Sequence, residues 1–231
     1  MKIQKSFQCI VPLSMVYMSV MIFSDLLVYK FVEMPYGYTT AATFIFPFWF
    51  ILNDIVAELY GPKVCWKMIW TAYTIQLFFN IFAYIAIHLP SPSNWNHQES
   101  FNLILGNLLW IEISTLVVYL ISGYINIRLL TKWKVLTRGK YFWLRSVCSS
   151  TIGEAIYSSL NIWLILFGFL ELKNLTHLVF WSFLLKFIYT LVFAFPASIL
   201  VQIIKKIEGN VYPELNFNPF GKDELATGEI K

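Results

Sequence analysis

Phe46-Pro47-Phe48-Trp49-Phe50-Ile51-Leu52-Asn53-Asp54-Ile55-Val56-Ala57-Glu58-Leu59-Tyr60-Gly61 is the stretch on which the fold turns. It closes a run from Thr39 to Gly61 that is apolar and long enough to cross a bilayer, yet holds two carboxylates. Asp54 and Glu58 are four residues apart, so a helix stacks them on one face. An ionised carboxylate in hydrocarbon costs on the order of several kcal/mol, so such groups turn toward a protein interior or a water-filled cavity and mark function. The plainer alternative sets Glu58 at the membrane surface, its carboxylate snorkelling into water.

The rest of the chain has the same character. Of 231 residues, 58% are hydrophobic, 19% aromatic and 13% charged. Soluble domains have roughly 25% charged residues, so this is membrane composition. The net charge of +4 does not point to nucleic acid, because the cationic residues cluster at the ends of apolar segments. Cys9, Cys65 and Cys148 lie far apart with neither metal nor redox spacing, and read as packing residues.

Six spans are expected, at about 9–28, 39–60, 64–87, 102–127, 142–170 and 175–204. The first is too long for a signal peptide and is followed by further spans. Asp25 and Lys30 sit near its far end, and a short loop with Glu33, Pro35 and Gly37 leads to the second span. Gly61-Pro62 stops that span. A polar loop at 89–100 precedes the fourth span and a basic loop at 128–140 follows it. The chain is expected to divide into a six-helix transmembrane domain at 1–205 and a polar, mobile cytoplasmic tail at 206–231.

Loop charges set the orientation. With the N-terminus inside, thirteen Lys and Arg residues fall on the cytoplasmic side, and Lys30 and Lys173 on the other. The expected fold is an all-α integral membrane protein with six transmembrane helices and both termini cytoplasmic. The second span of each half bears a carboxylate, which suits a 3+3 inverted repeat with its site at the repeat interface.

The fifth span adds Ser150, Glu154, Ser158 and Asn161 at steps of four, four and three, a polar stripe that turns inward. Bridging between helices explains the Ser and Asn residues but explains Glu154 poorly. Lys186 lies well inside the sixth span and would seek a carboxylate among Asp54, Glu58, Glu112 and Glu154, with Tyr189 one turn beyond on its face. Arg145, at a helix end, reads as snorkelling to lipid phosphates. Pro196 is a kink or a bending point. If the fourth span starts late, Glu112 is at the outer surface. His88, His97 and His177 have no metal spacing, and no phosphate-cradling or hydrolytic motif occurs, so no cofactor and no enzymatic activity are expected.

Phe46-Pro47-Phe48, Asp54 and Gly61, followed by Lys63 and Lys67, are similar to the signature of the queuosine-precursor transporter family, also called the vitamin uptake transporter family. The likeness continues through Trp143-Leu144-Arg145, Ser149-Ser150-Thr151 and Glu154, then Leu185-Lys186, Tyr189 and Pro196. Gly123, Asn126 and Tyr157 depart from the family pattern. The resemblance implies a bacterial inner-membrane importer of 7-deazaguanine bases (preQ0, preQ1 or queuine), precursors of a modified tRNA nucleoside. The alternative is the substrate-binding membrane subunit of an ATP-energised vitamin transporter.

A deazaguanine is flat, with N–H donors along one edge that a carboxylate accepts side by side. Its faces stack on aromatic rings, worth roughly 1–3 kcal/mol per base in nucleic-acid systems. The candidate substrate-binding residues are therefore Asp54, Glu58, Glu154, Ser150, Asn161, Lys186, Tyr189, Trp49 and Phe46. In this scheme Glu154 or Asp54 binds the donor edge, Ser150 and Asn161 complete the hydrogen bonds, and Lys186 holds the carboxylates. Phe46, Trp49 and Tyr189 form the walls. Asp54, Glu58 and Glu154 are also candidate proton carriers. The expected partners are a small-molecule deazapurine and the lipid bilayer. Homo-oligomer formation is open, and nucleic acid is not a partner.

Overall fold

The computed structural model describes residues 8–35, 37–166 and 171–208. The 206–231 tail lies outside the described residues from position 209 onward. Six helical segments correspond to the expected spans: α1 (Ile10–Leu26), α2 (Pro47–Tyr60) led by a 3-10 turn at Ala41–Phe44, α3 (Pro62–Ile87), α4 (Gln98–Leu105) continued by α5 (Leu108–Leu136), α6 (Phe142–Leu166) and α7 (Leu172–Glu208). Four of these segments, at Ala41–Tyr60, Pro62–Ile87, Gln98–Leu136 and Leu172–Glu208, are long and apolar enough to cross a membrane. The chain is an all-α membrane protein.

Three boundaries differ from the expectation. The loop before the second span is an antiparallel hairpin, β1 (Phe31–Met34) with β2 (Gly37–Thr40), in the register Phe31 to Thr40 and Met34 to Gly37. Aromatic and β-branched residues on both strands favour it, and the Lys30 carbonyl closes its base by accepting from the Ala41 N–H at 2.7 Å. Helix α2 starts only at Pro47, which lacks the N–H that a first helical turn leaves unused. The basic 128–140 segment is mostly helix, because Arg128, Lys132 and Lys134 are good helix formers. It ends where Arg138 and Gly139 take φ of 50° and 75°.

Helix α2 is the axis of the bundle. Every one of its residues except Phe48 is buried, among α1, α3, α5, α6 and α7. An apolar helix buried all round belongs in a core rather than on a lipid face. Gly61, at φ 87°, makes the turn into α3 in a conformation that L residues rarely adopt. By contrast, α3 and α7 turn Phe78, Phe82, Val192 and Phe195 outward, an apolar surface suited to lipid. Helices α5 and α6 approach closely at Gly153, where a Cβ would lie 2.9 Å from the Phe50 ring and 3.0 Å from Asn126 Cβ.

Both ends of the described chain meet at one end of the bundle. Glu208, closing α7, accepts from the Cys9 N–H at 2.6 Å and from the Tyr60 hydroxyl at 2.8 Å. The hairpin marks the opposite end.

Candidate substrate site

Glu58 organises the basic end. Its Oε2 is 3.1 Å from Arg145 Nη1, and its Oε1 is 3.0 Å from Lys205 Nζ and 3.6 Å from Lys134 Nζ. Lys134 also donates to the Glu58 carbonyl at 2.9 Å, and Arg145 donates to the Lys140 carbonyl at 3.0 Å. One carboxylate therefore ties α2 to α5, α6 and α7. Glu58 and Arg145 are each only 2% exposed, so neither snorkels. A planar guanidinium that finds a carboxylate and backbone carbonyls inside the protein has no need of lipid phosphate.

One turn earlier on α2, Asp54 is fully buried and held by neutral donors. Its Oδ1 accepts from Asn126 Nδ2 at 2.8 Å, and its Oδ2 accepts from Ser146 at 2.5 Å and from Ser150 at 2.8 Å. Above Asp54 lies a layer of rings. Trp49 stacks on Tyr119 with centroids 4.8 Å apart and packs against Tyr17, Tyr73 and Phe46, while Asn53 donates to the Tyr119 hydroxyl. Gly123 makes room for this layer, since a Cβ there would come within 2.8 Å of the Tyr119 ring.

A chamber opens above the rings, toward the hairpin. The space inside it that a water-sized sphere can enter is about 50 Å³, below the roughly 300–1,000 Å³ of small-molecule sites, so a ligand of that size enters only if the lining parts. Phe46 and Tyr157, stacked with centroids 4.2 Å apart, form one wall. Lys186 reaches in from α7, donating to Ser158 Oγ at 2.9 Å with its ammonium 4.4 Å from the Phe46 ring and 5.0 Å from the Tyr157 ring. Asn161 donates to the Tyr157 hydroxyl at 2.9 Å and leaves its own buried Oδ1 unpartnered. Asp25 and the hydroxyls of Ser24, Thr43, Thr115 and Ser182 complete the polar lining. Thr43 and Ser182 bond at 2.9 Å, tying the 3-10 turn to α7.

The α6 stripe faces inward as expected: Ser150, Glu154, Ser158 and Asn161 are all buried. Of the candidate residues, Phe46, Asn161 and Lys186 line the chamber. Asp54, Glu58, Glu154, Ser150, Trp49 and Tyr189 do not. Glu154 accepts from Thr190 at 2.9 Å and keeps Oε2 unpartnered, and Tyr189 packs against Phe44 and Phe193. Among the described residues, Lys186 makes no ion pair within 4.0 Å of a carboxylate, and Ser158 supplies its hydrogen bond instead. Glu154 acts on it electrostatically across the interior.

Asp25 was the residue most easily missed, because its position near the end of an apolar run reads as a membrane edge. Its signal lay on another helix, where Gln76 and Asn80 are one turn apart in the third span. Glu112 is 2% exposed and belongs to the interior, not the outer surface.

The family model described as "Putative vitamin uptake transporter" matches residues 40–201. No curated protein and no solved structure matches the chain.

Proposed function

The chain belongs to the vitamin uptake transporter family, the family of queuosine-precursor transporters, and on that premise we propose that it imports 7-deazaguanine bases across the bacterial inner membrane for tRNA modification. Family membership across five of the six helical segments is the observation that carries the reading. The chamber's chemistry supports it. Phe46 and Tyr157 bring aromatic surface to the lining for a flat base, and the unpartnered Asn161 Oδ1 and the Asp25 carboxylate are acceptors for its N–H edge. Lys186 donates to its carbonyl oxygen.

With the basic end as the cytoplasmic side, the chamber faces outward and the way in is shut. From Phe46 to Glu58 the axis of α2 descends about 18 Å at 1.5 Å per residue. Along that descent lie the ring layer, the Asp54 hydrogen bonds and the Glu58 ion cluster. Release to the cytoplasm then requires those three layers to part together, with the chamber closing above, as alternating access demands.

The test is the queuosine content of tRNA in a bacterium that can neither make nor import the precursors. It would express this chain or carry an empty vector, and be fed each base at low concentration. Restoration by one base establishes import and names the substrate. No restoration by any base, with the protein present in the membrane, overturns the reading.

A further inference from the structure

Beside the chamber, and separate from it except at Asp25, is a second polar cluster. Asp25 of α1 and Glu112 of α5 are both buried, at 6% and 2% exposure. Each accepts one amide from α3: Gln76 Nε2 lies 2.5 Å from Asp25 Oδ2, and Asn80 Nδ2 lies 2.6 Å from Glu112 Oε2. Gln76 and Asn80 are one turn apart on α3, so the carboxylates they hold are neighbours along that helix face. Neither forms an ion pair within 4.0 Å among the described residues.

The other titratable or charged groups facing the pair bring no direct compensation. Tyr73 of α3 and Tyr157 of α6 are phenols with no positive charge to offer. Lys186 of α7 shares the chamber with Asp25, but its ammonium is engaged by Ser158 and two ring faces. Two like charges left alone in an apolar interior repel each other and lose their hydration. What the site does offer is acceptors. Glu112 Oε1 and Gln76 Oε1 are buried without a hydrogen-bond partner among the described residues, and Asp25, Gln76 and Asn80 are the polar part of a side cavity of about 310 Å³ whose outer wall includes Phe79 and Phe82. Two buried oxygens without a donor, one of a carboxylate and one of an amide, beside a second carboxylate suit a hard monovalent cation or a proton.

We propose that Asp25 and Glu112, supported by Gln76 and Asn80, bind the cation that drives transport, a proton or a sodium ion taken up between α1, α3 and α5. Asp25 lines both this cavity and the substrate chamber, so occupancy of one is felt in the other. The coupling role rests on the import reading above, whereas the binding role stands without it.

The first measurement uses the purified full chain and needs no variant. Its melting temperature is followed while sodium replaces choline at constant ionic strength, and the infrared stretch of protonated carboxyl groups is followed against pH. A sodium-dependent rise of several degrees assigns the ion as sodium. A carboxyl band that titrates, and that weakens in Glu112→Gln, assigns the proton. If neither signal occurs, or if the signal found is unchanged in Glu112→Gln, the site is wrong.

The second measurement uses vesicles loaded with the protein. The ratio of base accumulated with an inward gradient of the assigned cation to that without it should be about tenfold or more in the wild type, and near unity in Glu112→Gln. An equal ratio in both proteins overturns coupling at this site. A wild type that moves no base but still gives the cation signal instead overturns the import reading and leaves the binding site standing.

Discussion

Two buried carboxylate centres of this protein solve the same problem in opposite ways. Glu58 is surrounded by Arg145, Lys134 and Lys205 and links α2 to α5, α6 and α7. Asp25 and Glu112 have amides and no cation in contact among the described residues. The first arrangement carries its own compensation and therefore holds one geometry. The second leaves a charge to be supplied from outside, so its preferred geometry depends on what arrives. A carboxylate inside a membrane protein thus declares its role through its neighbours, not its depth.

Neutralising each centre in turn tests the contrast, and the largest effect is expected at the basic end. Glu58→Gln takes the shared carboxylate from buried Arg145 and Lys134 and from the partly exposed Lys205. Removing one partner of a buried ion pair typically costs about 3–5 kcal/mol, and we expect a loss of that size in unfolding by denaturing detergent. Glu112→Gln strands nothing, because the amide still accepts from Asn80, and its cost should stay within about 1 kcal/mol. Equal losses in the two variants would erase the distinction.

Lys186 is the converse case, a buried cation that meets, among the described residues, a hydroxyl and two rings but no carboxylate within 4.0 Å. Lys186→Met keeps the aliphatic stem and removes the donor. If that donor meets the base, uptake at limiting concentration should fall about 10–100-fold, the equivalent of one charged hydrogen bond, with the membrane level of the protein unchanged. Uptake retained at the wild-type rate would show that the ammonium serves packing alone.

Much of this arrangement was legible from residue order. Hydropathy locates the six helical segments, four of them long and apolar enough to cross a membrane, and the steps of four, four and three locate the inward stripe on α6. Periodicity within one helix needs only that helix. Pairings between helices need the packing, and there the reading fell short. Arg145 reads as a lipid contact from its own segment, since nothing there names Glu58, 87 positions away. Lys186 was given a carboxylate because charge complementarity is the usual rule, whereas the bundle puts Ser158 opposite it. Asp25 shows the same limit, since its depth depends on how α1 tilts against α3. The hairpin was passed over because eight strand residues are too few for period-two alternation to stand out.

Asp54 falls between the two extremes, and the smallest effect is expected there. Among the described residues it has no cation in contact, yet three neutral donors share its two oxygens. Removing Ser146 alone leaves Oδ2 with Ser150 and Oδ1 with Asn126, so Ser146→Ala should cost about 1 kcal/mol, the net value of one hydrogen bond. Adding Ser150→Ala takes from Oδ2, a buried oxygen, the second of the two donors it has among the described residues. The double variant should therefore lose more than twice the single, because an unsatisfied buried acceptor costs more than a redistributed bond. Unfolding in denaturing detergent reads both. Strict additivity would mean that Asp54 can reach another donor, and would move it toward the open, exchangeable class of Asp25 and Glu112.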